Sequence, residues 1–361
     1  MPSHAEAVFK FSAGPSTSAS DKRYYGNGDT PLPLNADPST TAPPTASTPH
    51  SPPSLFLLPT KTELRACWEL GRLSNGMGCW VCWFPLAFSM TMAYHAHHDM
   101  PLTTLLTRLA LYLGLCSGIK SVIMTIDDIL DHDIDARVAR TKDRALSRGA
   151  ISRERAWLWF ALQCVIGVGL GWTLLNRTTL FISMFVWPIF VIYPTCKRWM
   201  DFAPVPLAFM FNIGALMGWT DVYPDDVPWK MLAIVYTACG FWTLTFETVY
   251  QHQDKLDDIL IGARSLALFV GRRTVPFCVT TAVAFIGLLS AAAFLNGHGF
   301  VFYVSAVVAL ARLLLPLRTL DIDEPKQCLR YFLLTPKVGA ILLLGFVGDA
   351  TLARWAAGLA L

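Results

Sequence analysis

The chain has 361 residues, of which 53% are hydrophobic and 15% charged, with a mean hydropathy of +0.43. Because ordinary globular domains carry about 25% charged residues, this composition excludes a typical water-soluble domain. The net charge of +3 is too small to predict a nucleic-acid-binding protein. The cysteines stand singly except for Cys79 and Cys82 within an apolar run, so no disulfide framework is expected.

Residues 1–55 are rich in Ser, Thr and Pro and lack an apolar period, which is typical of a disordered tail. The segment contains acidic residues and few arginines, and it has no apolar signal core. It therefore fits neither a mitochondrial transit peptide nor a secretory signal. We expect a cytosolic tail over residues 1–55 and one membrane domain over residues 56–361.

Repeated apolar runs predict an all-α, polytopic membrane protein with about nine transmembrane helices around a central cavity. An amphipathic stretch that ends near Arg72 precedes the first of them. The predicted spans are 77–95, 102–126, 156–174, 179–195, 203–221, 230–250, 275–295, 299–316 and 337–358.

The basic residues lie mainly on one side of these spans. Loops after the even-numbered spans hold most of the arginines and lysines, whereas the opposite loops hold little more than Arg177 and Lys230. The positive-inside rule therefore places the basic loops in the cytosol. Without a transit peptide, an endomembrane such as the ER or Golgi is favoured over the mitochondrial inner membrane. No feature predicts an obligate protein partner.

An acidic stretch follows the second predicted span. In it Asp127, Asp131 and Asp135 are four residues apart, so a helix would stack them on one face, where like charges repel. A shared divalent cation would relieve this repulsion, and Mg²⁺ takes oxygen ligands and commonly bridges to substrate phosphates. The basic run just downstream is placed to hold the rest of an anionic diphosphate.

A second acidic stretch follows the sixth predicted span. In it Tyr250, Asp254 and Asp258 share a helical face. Both stretches follow even-numbered spans, so they face the same side and are able to meet over one cavity. Placing a carboxylate at membrane depth costs free energy, so such residues usually have a function. Tyr193 and Lys197 end the fourth span on that side, where alone they are typical of an interfacial anchor.

Together these segments resemble the motifs of the UbiA superfamily of intramembrane prenyltransferases. The stretch that begins at Asp127 is similar to the family's Asn-Asp-x-x-Asp-x-x-x-Asp followed by Arg-Thr-x-x-Arg-Pro. The stretch that begins at Tyr250, with Gly262-x-Arg-Ser after it, is similar to the second signature. Tyr193 and Lys197 match the family's Tyr-x-x-x-Lys, and the resemblance covers roughly residues 60–361.

The resemblance implies Mg²⁺-dependent transfer of an isoprenyl group from its diphosphate to an aromatic acceptor, within the lipid bilayer. The implied magnesium ligands are Asp127, Asp128, Asp131, Asp135, Asp254 and Asp258. The implied diphosphate-binding residues are Arg140, Lys142, Arg144, Tyr193 and Lys197. Asp131, Asp254 and Asp258 would be catalytic, and Arg72 would lie near the acceptor.

Departures from the family pattern bear on the substrates. Asp127 replaces the usual Asn, and the ubiquinone-type pattern Arg-Leu-Asp-Lys-Pro-x-Gly becomes Arg-Leu-Ser-Asn-Gly-Met-Gly from Arg72. The lost charged pair and proline favour the fungal meroterpenoid branch, with a farnesyl donor and an aromatic polyketide acceptor. The alternative is a 4-hydroxybenzoate polyprenyltransferase of ubiquinone biosynthesis.

A membrane transporter or a scaffold without catalysis is the alternative from a different class. Transporters place charged sites near the bilayer midplane, whereas these carboxylates gather at one membrane face. On the other face, His95, His97, His98 and Asp99 include metal-ligand residue types, but a polar loop is expected there.

Overall fold

The computed structural model describes residues 58–138 and 140–359. Every regular element within these residues is helical, which confirms the all-α class predicted from the apolar runs. The prediction of a disordered tail over residues 1–55 lies outside the described residues.

The described part of the chain folds into α-helices of very different lengths. In chain order they are α1 (Lys61–Leu70), α2 (Met77–Ala96), α3 (Leu102–Leu130), α4 (His132–Asp135), α5 (Arg153–Leu174), α6 (Arg177–Met184), α7 (Trp187–Ile192), α8 (Pro204–Phe211), α9 (Gly214–Val222), α10 (Trp229–Gln251), α11 (Lys255–Ile261), α12 (Leu266–Val270), α13 (Thr274–Leu295), α14 (Phe300–Leu317), α15 (Pro325–Phe332) and α16 (Thr335–Ala356). Two 3₁₀-helices are added, Tyr193–Arg198 after α7 and Gly271–Arg273 before α13.

The membrane spans agree closely with the predicted ones. Eight helical segments of the described chain are long and apolar enough to cross a bilayer: Leu102–Leu130, Arg153–Leu174, Arg177–Arg198, Pro204–Val222, Trp229–Gln251, Leu266–Leu295, Phe300–Leu317 and Pro325–Ala356. The remaining predicted span corresponds to α2, whose 20 residues extend for about 30 Å. It is enclosed by α3, α9 and α16, so the helix that begins the bundle lies at its centre.

Small residues and aromatic rings form the core around α2. A Cβ atom on Gly218 of α9 would lie 2.2 Å from the carbonyl oxygen of Leu86, so glycine is what permits this close helix contact. The rings of Trp242 and Phe285 stack with centroids 5.1 Å apart, joining α10 to α13. In contrast, α5 points apolar side chains such as Val165 outward, as a lipid-facing helix does.

Two predicted spans are broken rather than continuous. The fourth changes from α6 to α7 and then to the 3₁₀-helix Tyr193–Arg198, in which Pro194 occupies the first turn. The fifth breaks after α8, where Asn212 donates hydrogen bonds to the carbonyl of Ala208 (2.8 Å) and to Thr243 Oγ1 (2.9 Å). The first break brings the 3₁₀-helix against the end of α3, where the first acidic stretch begins.

Candidate active site

The first acidic stretch keeps its predicted spacing across the end of α3. Asp131 is the residue between α3 and the single turn of α4. Its amide donates to the carbonyl of Asp127 (2.9 Å), and the amide of Asp135 donates to the carbonyl of Asp131 (2.8 Å). The three aspartates therefore follow one helical surface although the helix is interrupted, as the sequence predicts.

Asp127 and Asp131 have oxygens that are buried without a hydrogen bond. The residues are 8% and 1% exposed, and the Oδ1 atom of each has no hydrogen-bond partner among the described residues. Burial, together with the neighbouring carboxyl of Asp127, raises the pKa of Asp131 well above its usual value. Unsatisfied, crowded carboxylate oxygens are the ligands that a hard divalent cation takes, so these residues fit Mg²⁺.

Asp128 and Asp135 are in contact with guanidinium groups. Asp128 Oδ1 accepts from Arg72 Nη2 (2.8 Å) and from Arg144 Nη1 (3.1 Å). Arg144 also binds Asp135. Arg72 further lies 3.8 Å from Asp127 Oδ2, so the predicted acceptor residue borders the acidic group. Arg72 has a φ of 47°, a strained value for a residue other than glycine.

Arg140 joins the first stretch to the second. Its guanidinium binds Asp254 in a bidentate manner, with Nε–Oδ1 at 2.7 Å and Nη2–Oδ2 at 2.5 Å. It also lies 5.8 Å from the centroid of the Tyr250 ring. One turn after Asp254, burial raises the pKa of Asp258 to about 6. The two acidic stretches therefore belong to one site, as their positions after even-numbered spans predicted.

Lys197 lies between the two stretches. It interacts electrostatically with Asp127, Asp131 and Asp135 on one side and with Asp258 on the other. Its Nζ atom is 3.5 Å from Asp131 Oδ2. A single ammonium group is thus attracted by carboxylates of both stretches, as a bound cation would be.

The backbone after α11 fixes the position of Lys197. The amide of Arg264 donates to the carbonyl of Lys197 (2.9 Å), and Arg264 Nη1 donates to the carbonyl of Trp199 (3.1 Å). This loop leaves α11 at Gly262, whose φ of 72° is left-handed. The Gly-x-Arg-Ser sequence therefore contributes to the site by holding the 3₁₀-helix.

Tyr193 lies close to the acidic groups, whereas Lys142 does not contact them. The phenol of Tyr193 interacts electrostatically with Glu247, Asp127 and Asp131. Lys142 is exposed, and within residues 58–138 and 140–359 no hydrogen bond or ion pair joins it to the carboxylates. The structure thus brings together every predicted site residue except Lys142, which remains at the rim.

Lys120 is a site residue that the sequence reasoning missed. It is 5% exposed, and its Nζ atom donates to the backbone carbonyls of Arg72 (2.5 Å) and Asn75 (2.7 Å). A Cβ atom on Gly78 would lie 2.8 Å from Lys120 Cγ, so this glycine makes room for the lysine. A lone lysine inside a predicted membrane span is the signal that could have identified it.

Arg198 is the second residue that was missed, because it follows Lys197 in what reads as an interfacial anchor. It binds Asp133 with two nitrogens, at 3.1 and 2.8 Å, and donates to the carbonyl of Leu130 (3.0 Å). This hydrogen bonding lowers the pKa of Asp133 to about 2. Arg198 thereby fastens the 3₁₀-helix to the first acidic stretch.

A polar cavity of about 260 Å³ opens beside Lys197 at this end of the bundle. Its walls come from the first acidic stretch, from the 3₁₀-helix and from the loop after α11: Asp133, Ile134, Arg137, Lys197, Arg198, Ile261, Gly262 and Ala263. A larger cavity of about 520 Å³ lies elsewhere, among apolar side chains such as Phe181, Phe209 and Trp229. Of these two cavities in the described part of the chain, the polar one offers both charges and an opening next to the carboxylates.

The fold and the site define a class of protein. It is a multi-pass helical membrane protein in which carboxylates, arginines and a lysine from three separate segments converge at one end of the bundle. Residues 82–344 match the model of the UbiA prenyltransferase family. The chain belongs to the UbiA prenyltransferase family, which confirms the resemblance found in the motifs.

The chain is also similar to named proteins. The chain is 32% identical over 280 residues to 4-hydroxybenzoate polyprenyltransferase, mitochondrial, of Aedes aegypti, covering 77% of this chain and 62% of that protein's length. It is 30% identical over 295 residues to 4-hydroxybenzoate geranyltransferase 2 of Lithospermum erythrorhizon, covering 82% of this chain and 94% of that protein.

Solved structures share the fold. A UbiA homolog from Aeropyrum pernix K1 superposes with a TM-score of 0.61 and 22% identity, covering 74% of this chain and 97% of that one. A UbiA homolog from Archaeoglobus fulgidus, solved with GPP and Mg²⁺, superposes with a TM-score of 0.58 and 16% identity, covering 78% of this chain and 99% of that one. At these identities the likeness establishes the fold.

Proposed function

We propose that the protein is an intramembrane aromatic prenyltransferase, which moves an isoprenyl group from its diphosphate to an aromatic acceptor in a Mg²⁺-dependent reaction. The observation that carries the proposal is the meeting of two acidic stretches around Lys197, where a buried oxygen of Asp127 and one of Asp131 accept no hydrogen bond from any described residue. A cation-plus-diphosphate ligand would satisfy both signs of charge at once.

The carboxylates would hold the metal. Asp127 and Asp131 offer their free oxygens from one side, while Asp254 and Asp258 face them across Lys197. Asp128 and Asp135, each bound to Arg144, complete the acidic wall. When bound, Mg²⁺ neutralises the diphosphate and the charge that develops on it as the carbon–oxygen bond breaks.

The basic residues would bind the diphosphate oxygens. Arg140 and Arg144 bind carboxylates in this structure, and their guanidinium groups would turn toward the diphosphate when those carboxylates hold the metal. Lys197 and Tyr193 stand between the two stretches, and Lys142 at the rim would meet the entering anion. Preorganised charges of this kind stabilise the departing diphosphate.

The interior of the bundle would protect the reacting carbon from water. The allylic carbon becomes positively charged as the diphosphate leaves, and it must meet an aromatic ring rather than a water molecule. Arg72, on the loop between α1 and α2, places a cation beside Asp127 and Asp128. We assign this guanidinium to the acceptor, whose phenol or carboxyl group it would orient.

For the substrates, we propose a farnesyl donor and a phenolic polyketide acceptor in meroterpenoid secondary metabolism, in an endomembrane. The support is the loop after Arg72, where Ser74, Asn75 and Gly76 replace the Asp-Lys-Pro of the ubiquinone-type pattern. A 4-hydroxybenzoate acceptor is the second candidate. Its support is that the relatives from Aedes aegypti and Lithospermum erythrorhizon are 4-hydroxybenzoate prenyltransferases.

The test is an activity assay on microsomes that contain the full chain. They are incubated with Mg²⁺, diphosphates from geranyl to geranylgeranyl, and a panel of phenolic acids that includes 4-hydroxybenzoate. We expect a prenylated product, its loss in Asp131→Ala plus Asp254→Ala, and its retention in the exposed control Asp143→Asn. No product from any pair, or full activity in the double variant, would refute the proposed reaction.

A further inference from the structure

The connection between α14 and α15 lies beside the second acidic stretch. It comprises residues 318–324, and a hydrogen bond from Lys255 places it at the end of the bundle that carries the carboxylates. The helix that follows it, α15, packs on α10, whose last turns carry Tyr250. No residue of the connection or of α15 belongs to the acidic motifs, so any role it has in the site comes from packing.

Lys255 directly follows Asp254, yet its side chain turns toward the connection. Its Nζ atom donates to the carbonyl of Ile322 (3.0 Å) and forms an ion pair with Asp323. The side chain of Lys255 is 16% exposed, so most of it is covered by the protein. Hydrogen bonds that involve a charged group are stronger than neutral ones. The ammonium group is therefore used to join two segments of the chain, whereas that of Lys197 lies among the carboxylates.

The connection is ordered by hydrogen bonds of its own. The amide of Asp321 donates to Gln327 Oε1 (3.1 Å), and the amide of Asp323 donates to Asp321 Oδ1 (2.9 Å). The hydroxyl of Tyr331 donates to the carbonyl of Leu313 (3.4 Å), which fastens α15 to α14. The acceptors in this loop are therefore held in fixed positions relative to the bundle.

A second contact joins α15 to the acidic stretch. The ring of Phe332, at the end of α15, lies against that of Tyr250 with centroids 4.4 Å apart and against that of Phe246 with centroids 5.7 Å apart. Aromatic pairs at such distances are favourable beyond the area they bury. Tyr250 in turn lies beside Arg140, which binds Asp254. Phe332 therefore supports the ring next to which the two acidic stretches are joined.

The helix α11 depends on such support, because it is short and little of it is covered. It has seven residues, none of which is buried, and Leu256 and Leu260 are exposed. A helix this short is only marginally stable on its own. The amide of Asp258 donates to the carbonyl of Asp254 (2.8 Å), so the two carboxylates keep their spacing only while α11 is formed.

We propose that Lys255 and Asp323 are positioning residues of the diphosphate site. Their ion pair, together with the contact of Phe332 on Tyr250, holds the second acidic stretch in the geometry that binds Mg²⁺ and the diphosphate. This inference rests on the proposed function and adds to it a segment outside the motifs. Lys255 itself binds no substrate, although its charge and its place within the acidic stretch are typical of a diphosphate ligand.

The first test is steady-state kinetics on microsomes that contain the full chain, with the most active of geranyl, farnesyl and geranylgeranyl diphosphate. The KM for the diphosphate and the Mg²⁺ concentration at half-maximal activity should rise about fivefold in Lys255→Met. They should rise about threefold in Asp323→Ala, which keeps the hydrogen bond to Ile322. The KM for the acceptor should not change. Lys326→Met, at an exposed lysine of α15, should match the unaltered protein.

A charge exchange separates a positioning residue from a diphosphate ligand. If Lys255 bound the diphosphate directly, Asp323→Ala would leave the diphosphate KM unchanged or lower it, because the ammonium group would be released to the substrate. Lys255→Glu combined with Asp323→Lys would then be as impaired as Lys255→Glu alone. We expect instead that the exchanged pair restores the diphosphate KM to within about threefold of that of the unaltered protein.

Amide hydrogen exchange of the purified full chain, followed by mass spectrometry, is a measure that does not depend on activity. Amides of α11 should exchange faster in Lys255→Met and in Asp323→Ala than in the unaltered protein, and at the unaltered rate in Lys326→Met. Absence of product from the unaltered protein would refute the proposed function, and the exchange of α11 would then decide whether the ion pair holds this helix. Unchanged exchange in Lys255→Met, an unchanged diphosphate KM in Asp323→Ala, or no recovery in the exchanged pair would overturn the proposal.

Discussion

Buried carboxylates at the two ends of the bundle differ in how completely they are hydrogen-bonded. At the site end, Asp127 and Asp131 are buried with an oxygen that lacks a hydrogen bond among the described residues. At the other end, the side chain of Asp221 is 0% exposed, and both its oxygens bind Arg108, at 2.7 and 2.5 Å. Asp127 and Asp131 are thus incompletely hydrogen-bonded among the described residues, whereas Asp221 is fully paired.

This difference separates binding residues from residues that stabilise the fold. Leaving a buried polar atom without a hydrogen bond costs about 1–3 kcal/mol, so a protein keeps such an atom where a ligand completes it. Asp221 needs no ligand, because Arg108 satisfies both of its oxygens. Arg108 also donates to the carbonyl of Leu174 (3.3 Å) and so joins α3 to α5 and α9. The predictions below test whether activity and stability separate in the same way.

Asp131→Asn should have the largest effect on activity. The substitution removes a charged metal ligand and should lower kcat on the order of 10²–10³-fold. It also removes a like charge beside Asp127, so the thermal unfolding midpoint measured without Mg²⁺ should equal or exceed that of the unaltered protein. A lower midpoint with preserved kcat would mean that Asp131 stabilises the fold and binds no substrate.

Asp221→Asn should have the largest effect on stability. It breaks a buried ion pair and leaves Arg108 without its partner, which should cost about 3 kcal/mol of unfolding free energy. The activity of the remaining folded protein should stay within about twofold, equivalent to about 0.4 kcal/mol, because Asp221 lies at the end of the bundle opposite the candidate site. Thermal unfolding and active-fraction assays check this, and Asp225→Asn, a residue of the neighbouring loop, is the control.

Lys120→Met should have an intermediate effect, mainly on binding of the acceptor. Without its two hydrogen bonds the loop that carries Arg72 loses its support from α3. The KM for the acceptor should rise roughly tenfold, equivalent to about 1.4 kcal/mol, while the KM for the diphosphate stays unchanged. Lys120→Arg should restore most of the acceptor KM; a change only in the diphosphate KM would contradict this role.

Asp133→Asn should have the smallest effect although it lies two residues from Asp131. Its carboxylate is about half exposed and binds Arg198, and exposed pairs contribute about 1 kcal/mol or less. We expect kcat within about threefold of the unaltered protein. A loss comparable to that of Asp131→Asn would show that the whole stretch acts as one charge cluster rather than as specific ligands.

Apolar composition and the length of apolar runs identify membrane spans, so the sequence predicted the helical membrane fold. The boundaries of α3 and α13 follow directly from apolar runs, whereas the break after α8 could not be predicted. That break depends on Asn212, whose partner Thr243 lies 31 residues away. Contacts between distant segments have no local signal in the chain.

The same limit applies to the site. Periodicity of four placed Asp127, Asp131 and Asp135 on one surface, and the even-numbered spans brought Asp254 to the same face. The pairing of Arg140 with Asp254, the support of Arg72 by Lys120 and the contact of His298 with Asp349 all depend on packing. A list of charged residues identifies the candidates, but their partners come only from the fold.

Binding of a non-reactive farnesyl diphosphate analogue, measured by calorimetry, tests most directly whether the two acidic stretches form one metal-dependent site. We predict that the unaltered protein binds the analogue only with Mg²⁺, and that Asp131→Asn and Asp254→Asn each weaken binding at least about tenfold. Asp143→Asn should bind as the unaltered protein does. Equal affinity without Mg²⁺, or full affinity in either site variant, would contradict the account.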